Sequence, residues 1–338
     1  MTFDRKQIMR AACSLAIMFS ILGAGACSAP KLTLYSETRA LMGTFITVTL
    51  YAEGEDFAAT AADAAFGRIQ EIENAASIFS ETAEAYLLNK NSYIYNPSPD
   101  LKKLVELSLE YGNLTNGYFD ISVQPVLELW EAGLWAEAPE VQQEQVNEAM
   151  KLVGYKKIKL TEDSITLDNG MKITLGGIAK GYAAGEALKT LQSMGVQHAY
   201  VNAGGDTASL GKKPDGTSWK VTLVNPDNTS EYITSFALNG ESVATSGNYA
   251  RYFDPDKKVS HILNPQTGYS ESGCVSVSII AKDASLADAL ATAVFVMGPD
   301  EGIRFVDNLD GVECMIIDNT LGIHRSRGLS KYEVEGEN

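Results

Sequence analysis

The sequence predicts an α+β fold, because its helix patterns and its strand patterns are grouped in different parts of the chain. From residue 55 to about residue 154, apolar residues recur at helical spacing. From residue 155 onward, short β-branched and apolar runs predominate, and Asn169-Gly170 is a strong signal for a two-residue hairpin turn. Strands in hairpins beside separate helices favour mixed or antiparallel sheets over a doubly wound parallel sheet.

The composition is that of an ordinary globular protein, with 45% hydrophobic and 21% charged residues. A chain of 338 residues is long enough for one large domain or two. The net charge of −16 argues against nucleic acid as a partner, because a phosphate-binding surface needs an excess of basic residues.

The N-terminus has the pattern of a secretory signal peptide, which we place at 1–26. Basic residues precede an apolar run at 11–24 that is too short to span a bilayer. Small residues then lead to Cys27, as at a bacterial lipoprotein cleavage site, although Ala24 stands where Leu is usual. We therefore expect a lipid on Cys27, a linker at 27–40, and a location at the outer face of the cell membrane, periplasmic in a Gram-negative cell. Plain secretion is the alternative.

Two further cysteines, Cys274 and Cys314, lie in apolar runs typical of strands. They either pair in an oxidising compartment or stay as buried thiols, and both readings stay open. The histidines His198, His261 and His324 are too few and too scattered to predict a zinc site.

The first half of the chain begins with strand patterns and continues with helices. The segment 31–36 has the character of a linker or of a first edge strand, and Met42-Gly43 forms a tight turn before strand 44–51. Ser98-Pro99 is an N-cap followed by a first-turn proline. Helices are predicted at 55–78, from Ser98-Pro99 to Gly112 or Gly117, and at 140–153.

The second half is richer in strands. Strands are predicted at 158–160, 164–167, 171–175, 199–202, 219–224, 232–238, 241–244, 275–280 and 312–317. Helices are predicted at 180–194, at 284–297 and near 299–309.

Two oxygen donors, Asp288 and Thr292, stand four positions apart on the predicted helix 284–297. Residues at this spacing project from one helix face. A carboxylate and a hydroxyl presented together suit Mg²⁺ or Ca²⁺ far better than zinc. Taken alone, such a pair more often marks a solvated helix face than a metal site.

Glycine turns recur near this chemistry. The segment 175–181 joins a strand to a helix and carries Lys180, so it could bring backbone amides and a positive charge to an anion. A second glycine turn, 202–206, ends in Asp206, which is typical of a local cap at the end of a strand, and His261 is expected to end a strand ahead of an Asn-Pro turn. Neither a Walker motif nor a dinucleotide-binding glycine motif is present. Each turn alone is more often structural than functional.

Taken together, these segments resemble the ApbE family of FAD-dependent flavin transferases, also called FMN transferases. The resemblance covers 41–332 and rests on the order and spacing of several short motifs. These motifs are Met42-Gly43-Thr44, Gly117-Tyr118-Phe119-Asp120, Leu175-Gly176-Gly177-Ile178-Ala179-Lys180-Gly181-Tyr182, Asn202-Ala203-Gly204-Gly205-Asp206, Ala244-Thr245-Ser246-Gly247, His261-Ile262-Leu263-Asn264-Pro265-Gln266-Thr267-Gly268 and Asp288-Ala289-Leu290-Ala291-Thr292. The resemblance implies a T-fold-like α+β lobe at about 155–332 against a helical lobe at about 55–154, with FAD between them.

The resemblance also implies site residues. Asp288, Thr292 and the carbonyl of Gly177 correspond to the ligands of a Mg²⁺ ion. Lys180, His261 and Asp288 are the candidate catalytic residues, with His261 as first choice and Asp288 as second choice for the base. The implied flavin-nucleotide contacts are Met42, Tyr118, Phe119, Asp120, Thr174, Lys180, His261 and Ile262. Three residues depart from the family pattern: Ala83 where Ser is common, and Thr174 and Asn264 where Asp is common.

The implied activity is transfer of FMN from FAD to a Thr hydroxyl of a partner flavoprotein, with release of AMP. Acceptors in the family include subunits of sodium-pumping quinone reductases and Rnf-type electron-transport complexes. The first alternative is an FAD pyrophosphatase that releases FMN and AMP. The second alternative is a lipoprotein that binds FAD without turnover.

Overall fold

The computed structural model describes residues 32–225, 232–254, 256 and 259–334. The predicted signal peptide and Cys27 lie outside the described residues. All helices and strands below belong to one compact unit, Leu32–Asn338. Within the described ranges, the helices are all too short or too polar to cross a bilayer.

The described chain contains both helices and strands, as an α+β fold requires. The helices are α1 Glu55–Ala76, α2 Glu84–Asn91, α3 Pro99–Leu114, α4 Gln124–Glu131, α5 Pro139–Met150, α6 Ala179–Ser193, α7 Ala284–Met297 and α8 Pro299–Val306. The strands are β1 Thr33–Leu41, β2 Thr44–Ala52, β3 Tyr93–Tyr95, β4 Lys159–Leu160, β5 Ser164–Thr166, β6 His198–Ala203, β7 Asp206–Leu210, β8 Trp219–Val224, β9 Tyr232–Leu238, β10 Ser242–Gly247, β11 Cys274–Ala281, β12 Glu313–Asp318, β13 Ile323–Arg325 and β14 Glu333–Val334.

The central element is an eight-stranded sheet with the order β1-β2-β6-β7-β10-β11-β12-β13. Its paired strands are antiparallel. Strands β1 and β2 form a hairpin whose two turn residues, Met42 and Gly43, have φ of 53° and 70°. This left-handed pair is the turn geometry that matches the twist of a hairpin. Strand β1 begins at Thr33 and lies at the edge of the sheet, so of the two alternatives for 31–36 the first edge strand is correct.

Helices cover one face of the sheet, and a second sheet covers part of the other. Helix α1 packs against α6, and α6 packs against α7. Together these three helices cover β2, β6, β7, β10 and β11. The three-stranded sheet β14-β9-β8 contributes Trp219 and Phe236 to a separate core cluster with Ile280 and Met315 of the central sheet. A further small sheet, β3-β5-β4, lies next to the helices of the first half. The largest core cluster includes residues of both predicted lobes.

The predicted strand at 171–175 is wrong. The segment pairs with no neighbouring strand, because its backbone hydrogen bonds go to a side chain of α2 and to the turn at Ile121. The side chain of Asn89 donates to the Ile173 carbonyl at 2.8 Å and accepts from the Ile173 amide at 2.7 Å. The Thr174 amide donates to the Ile121 carbonyl at 2.7 Å. Asn169-Gly170 does form a turn, but no second strand follows it.

The end of helix α3 shows why one of its two candidate glycines is not a terminator. Gly112 lies inside the helix, and its lack of a side chain makes room for the ring of Tyr155, since a β-carbon on Gly112 would lie 2.8 Å from Tyr155 Cδ2. The chain leaves the helix later, through Asn116 and Gly117 with φ of 51° and 83°. The Gly117 amide then donates to the Gly112 carbonyl at 2.8 Å.

Candidate active site

A cavity of about 410 Å³ opens between the helices of the first half and one end of the central sheet. Ten of the implied site residues line it: Tyr118, Phe119, Asp120, Thr174, Gly177, Lys180, His261, Ile262, Asp288 and Thr292. An adjoining cavity of about 520 Å³ is lined by Met42 and shares Thr174 and Lys180 with the first. Residues that are up to 250 positions apart in sequence therefore surround one continuous space.

Helix α7 presents Asp288 and Thr292 to this cavity. The helix begins after Asp283, whose carboxylate caps it by accepting from the Leu286 amide at 2.9 Å. Asp288 is 4% exposed, and its Oδ2 accepts a hydrogen bond from the Gly181 amide at 2.9 Å. Its other carboxylate oxygen makes no hydrogen bond within the described ranges. Thr292 Oγ1 lies 3.3 Å from Ser246 Oγ on β10.

Gly177, in the turn before α6, lies next to Thr292. A β-carbon on Gly177 would lie 3.0 Å from Thr292 Oγ1 and 3.3 Å from Phe119 Cε2, so backbone and hydroxyl are in close contact. The donors gathered here are oxygens, namely one carboxylate, one hydroxyl and the backbone of Gly177. Hard divalent cations such as Mg²⁺ prefer this donor set. Among the described residues no cluster of three or more His, Cys, Asp or Glu could hold a metal.

Lys180 lies on the first turn of α6 and forms an ion pair with Asp206 at the start of β7. Asp206 follows the turn Gly204-Gly205, where φ is 65° and 105°, and its side chain is 3% exposed. Its Oδ1 also lies 3.3 Å from the Thr245 amide on β10. Burial alone would lower the pKa of Lys180, but the charges of Asp206 and Asp288 outweigh it and raise that pKa. Lys180 is therefore a fixed positive charge at neutral pH.

The surroundings of Asp288, unlike those of Lys180, favour the neutral form of its side chain. Burial raises its pKa, the charge of Asp206 adds to that rise, and Lys180 opposes it. The charges of Asp206, Asp288 and Lys180 thus influence one another beside the cavity.

His261 lines the cavity from the turn that follows the isolated bridge between Tyr252 and Ser260, so the expectation that it ends a strand is wrong. Its Nδ1 lies 3.1 Å from the carbonyl oxygen of Arg251. A carbonyl only accepts, so Nδ1 carries the proton and Nε2 keeps a free lone pair. Burial lowers the pKa of His261 below its ordinary value, the hydrogen bond to the Arg251 carbonyl opposes this change, and the nearby charges of Arg251 and Lys180 add to the lowering. His261 is neutral at pH 7 and able to accept a proton.

The segment before α4 contributes Tyr118, Phe119 and Asp120. Tyr118 donates to Glu301 Oε2 at 3.0 Å, and the buried Phe119 ring packs beside Gly177. Asp120 accepts from the Ser122 amide at 2.8 Å and, through its other oxygen, from the Tyr155 amide at 2.8 Å. Burial raises the pKa of Asp120. In this structure the Asp120 carboxylate fixes the local backbone while lining the cavity.

The remaining implied contacts lie at the rim. The Met42 amide donates to Glu73 Oε1 at 2.9 Å, which fixes the hairpin turn beside the second cavity. Thr174 Oγ1 accepts from the Gly176 amide at 3.3 Å, and Ile262 is 5% exposed.

One departure from the family pattern has a local explanation, and a second has a local consequence. Asn264 donates to Glu271 Oε1 at 2.7 Å, an arrangement in which an aspartate would repel the glutamate. Ala83 occupies the N-cap position of α2 and offers no side-chain cap, a role that Ser fills well.

Sequence reasoning missed Asp206 and Ser246 as site residues, although both lie in motifs that carry the family resemblance. Asp206 looked like a local cap of a strand turn, since a single Asp after two glycines carries no sign of a distant lysine. Ser246 lines the cavity next to Thr292. Their placement depends on the pairing of β6, β7 and β10, which the sequence pattern predicts only in part.

Comparison with known proteins gives consistent results. The family model described as "ApbE family" matches residues 42–316. A curated relative from Haemophilus influenzae, named FAD:protein FMN transferase, is 29% identical over 245 residues, which cover 68% of this chain and 70% of the relative. A relative of the same name from Escherichia coli is 30% identical over 218 residues, which cover 62% of each chain.

Solved structures share the fold over nearly the whole length. The crystal structure of the ApbE protein from Thermotoga maritima has a TM-score of 0.81 and 31% identity, and the match covers 90% of this chain and 100% of that one. The flavin transferase ApbE from Vibrio cholerae, with a TM-score of 0.76 and 23% identity over 89% of this chain and 100% of that one, shows the same fold.

Proposed function

The chain belongs to the ApbE family, and on that basis we propose that it is an FAD:protein FMN transferase. The curated relatives carry this name. The observation that carries the proposal is the convergence of Lys180, His261, Asp288 and Thr292 on one cavity. A fixed positive charge, a neutral histidine and oxygen donors for a divalent cation are the groups that attack on a pyrophosphate requires.

In the proposed reaction, a Thr hydroxyl oxygen of an acceptor flavoprotein attacks the phosphorus of the FMN half of FAD. A new phosphoester bond forms, the bond from that phosphorus to the bridging oxygen breaks, and AMP leaves with the bridging oxygen. His261 Nε2 accepts the hydroxyl proton. Lys180 neutralises charge on the phosphoryl oxygens, and the cavity walls hold the substrate in line.

Asp288, Thr292 and the Gly177 carbonyl would hold a Mg²⁺ ion together with the substrate phosphates. Such an ion, when bound, polarises the phosphoryl oxygens as a Lewis acid. The aromatic rings of Tyr118 and Phe119 offer packing surface for the adenine or the flavin ring.

We propose further that the chain works at the extracytoplasmic face of a membrane, anchored by a lipid on Cys27. The support is the sequence pattern before Cys27. Mass spectrometry of the mature N-terminus tests it, since an unmodified start elsewhere would contradict the anchor. Acceptors would then be extracytoplasmic parts of flavoproteins, such as subunits of sodium-pumping quinone reductases or Rnf-type complexes.

The activity is tested by incubating the protein with FAD and Mg²⁺, with and without an acceptor domain. The proposal expects AMP release that depends on the acceptor, together with flavin covalently attached to it. AMP release at the same rate without acceptor would identify an FAD pyrophosphatase instead. Bound FAD with no AMP in either mixture would identify a flavin-binding protein without turnover.

A further inference from the structure

We infer that Asp206 is a positioning residue that holds the Lys180 ammonium away from Asp288 and so keeps the Asp288 carboxylate available to a divalent cation. The inference rests on the proposed function, because it assigns Asp288 to the cation and Lys180 to the phosphates. Asp206 itself faces Lys180 and not the metal donors, so it acts through the lysine.

One ammonium pairs with one buried carboxylate, that of Asp206, and lines the same cavity as a second, that of Asp288. Lys180 pairs with Asp206, whose side chain is 3% exposed, whereas a third of the Lys180 side chain remains exposed toward the cavity. The second carboxylate whose charge acts on Lys180 is that of Asp288. Asp288 does not pair with the lysine but accepts from the Gly181 amide, one residue further along α6.

Asp206 is well fixed for this role. It starts β7 directly after the Gly204-Gly205 turn, and both glycines have a left-handed φ that other residues rarely adopt. Its Oδ1 faces the Thr245 amide of the neighbouring strand β10, and Oδ2 faces Lys180. A carboxylate held at both oxygens gives the lysine a defined position, which a flexible four-carbon side chain lacks on its own.

Removal of the Asp206 charge leaves Asp288 as the closest electrostatic alternative for the ammonium. A buried charge without a partner is costly, so the lysine would turn to the remaining carboxylate. Lys180 would then occupy the one anionic donor of the proposed cation site, and a divalent ion would have to displace it. Charge loss alone also weakens cation binding, but that contribution does not depend on whether Lys180 is present.

A double-mutant cycle separates the two effects, with Mn²⁺ alone as the probe and its binding followed by electron paramagnetic resonance. The variants are Asp206→Asn, Lys180→Met and the double variant, each checked for native circular dichroism. Asp206→Asn keeps an oxygen for the Thr245 amide, so the fold is expected to persist. Asp206→Glu is the matched control that keeps the charge.

The inference expects Asp206→Asn to weaken Mn²⁺ binding by about tenfold in the presence of Lys180 and by only about two- to threefold in the Lys180→Met background. Lys180→Met should therefore rescue cation binding in the double variant, although not flavin transfer. Equal weakening in both backgrounds would overturn the inference, as would unchanged binding by folded Asp206→Asn or a lack of saturable Mn²⁺ binding by the native chain. The readout needs neither FAD nor an acceptor, so it stands even if the native protein transfers no flavin.

Discussion

The Gly181 amide donates a 2.9 Å hydrogen bond to Asp288 Oδ2 across the contact between α6 and α7. The two helices approach this closely because Gly181 has no side chain: a β-carbon there would lie 2.2 Å from the Ala284 carbonyl oxygen and 2.7 Å from Asp288 Cβ. The same residue thus allows the helix packing and orients the carboxylate that faces the cavity. Gly181 therefore contributes both to the stability of the helix packing and to the geometry of the site.

Gly181→Ala should lower the free energy of unfolding by about 3 kcal/mol, because the new methyl group overlaps backbone that cannot move freely. Gly185→Ala, one turn later on α6, is the matched control, since its β-carbon would meet Ala284 Cβ at an ordinary 3.7 Å. The free energy of unfolding of Gly185→Ala should be unchanged or higher by roughly 0.5–1 kcal/mol, as expected for Ala in place of Gly in a helix. Urea unfolding of both variants measures the difference, and equal effects would contradict the close approach.

Asp100 should stabilise the fold only above acidic pH. Its carboxylate accepts from Arg68 and, at 3.0 Å, from the Tyr182 hydroxyl, and the Arg68 guanidinium lowers the pKa of Asp100. A lowered pKa in the folded state means that the stabilisation is complete above the unfolded value, near 3.8, and disappears as the pH falls through the folded value.

Asp100→Asn should therefore lower the free energy of unfolding by roughly 1–3 kcal/mol at pH 7 and by progressively less below about pH 4. Unfolding free energies of the native chain and the variant across this range measure the effect. Glu110→Gln, the same change of carboxylate to amide at an exposed position of the same helix, serves as the control. A difference between native and Asp100→Asn that grows toward low pH would contradict the ion pair.

His261→Ala should reduce flavin transfer by about 10²–10⁴-fold, the usual contribution of a positioned general base. Because burial lowers the pKa of His261 below 6.5, the native rate should persist through pH 6.5 and fall only at more acidic pH. The pH profile of kcat/KM checks this, with Gln266→Ala on the same turn as control. A native rate in His261→Ala, or an acid limb centred above pH 6.5, would argue for another base.

Cys274 and Cys314 should both be free thiols. In the register of β11 and β12, Cys314 lies opposite Ile279, five positions from Cys274, so about 17 Å of strand separates them. A disulfide needs Cα atoms within about 7 Å. Burial raises the pKa of each thiol to about 12, so alkylation should require denaturant. Peptide mapping should find Cys274 and Cys314 both labelled after unfolding without reductant, whereas labelling of this pair only after reduction would contradict this register.

Much of the fold follows from local patterns. The boundaries of α7 at Ala284 and Met297 agree with the predicted helix, because an Asp cap precedes it and Gly298-Pro299 ends it. Helix α2 and strand β7 were missed. Helix α2 lacks a capping side chain, and β7 is a buried run of mostly small residues whose strand character comes from its neighbours β6 and β10.

The implied site residues lie around one cavity, but the relations between them could not be read from sequence. The Lys180–Asp206 pair depends on strand pairing across the central sheet, and the Gly181–Asp288 bond depends on the α6–α7 distance. Each partner lies in a motif that is unremarkable alone. Sequence spacing reports which side chains share a helix face, whereas contacts between elements depend on the packing of the whole unit.

In the proposed function, Asp288 provides the anionic donor of a cation site at which FAD is cleaved. Asp288→Ala removes the only carboxylate of that site, whereas Thr292→Ala removes a neutral oxygen that water can replace. The decisive measurement is AMP release from FAD, with acceptor present, as a function of Mg²⁺ concentration for the native chain and both variants. We predict loss of turnover in folded Asp288→Ala at every Mg²⁺ concentration and a shift to higher Mg²⁺ in Thr292→Ala. A native rate with an unaltered Mg²⁺ dependence in Asp288→Ala would contradict it.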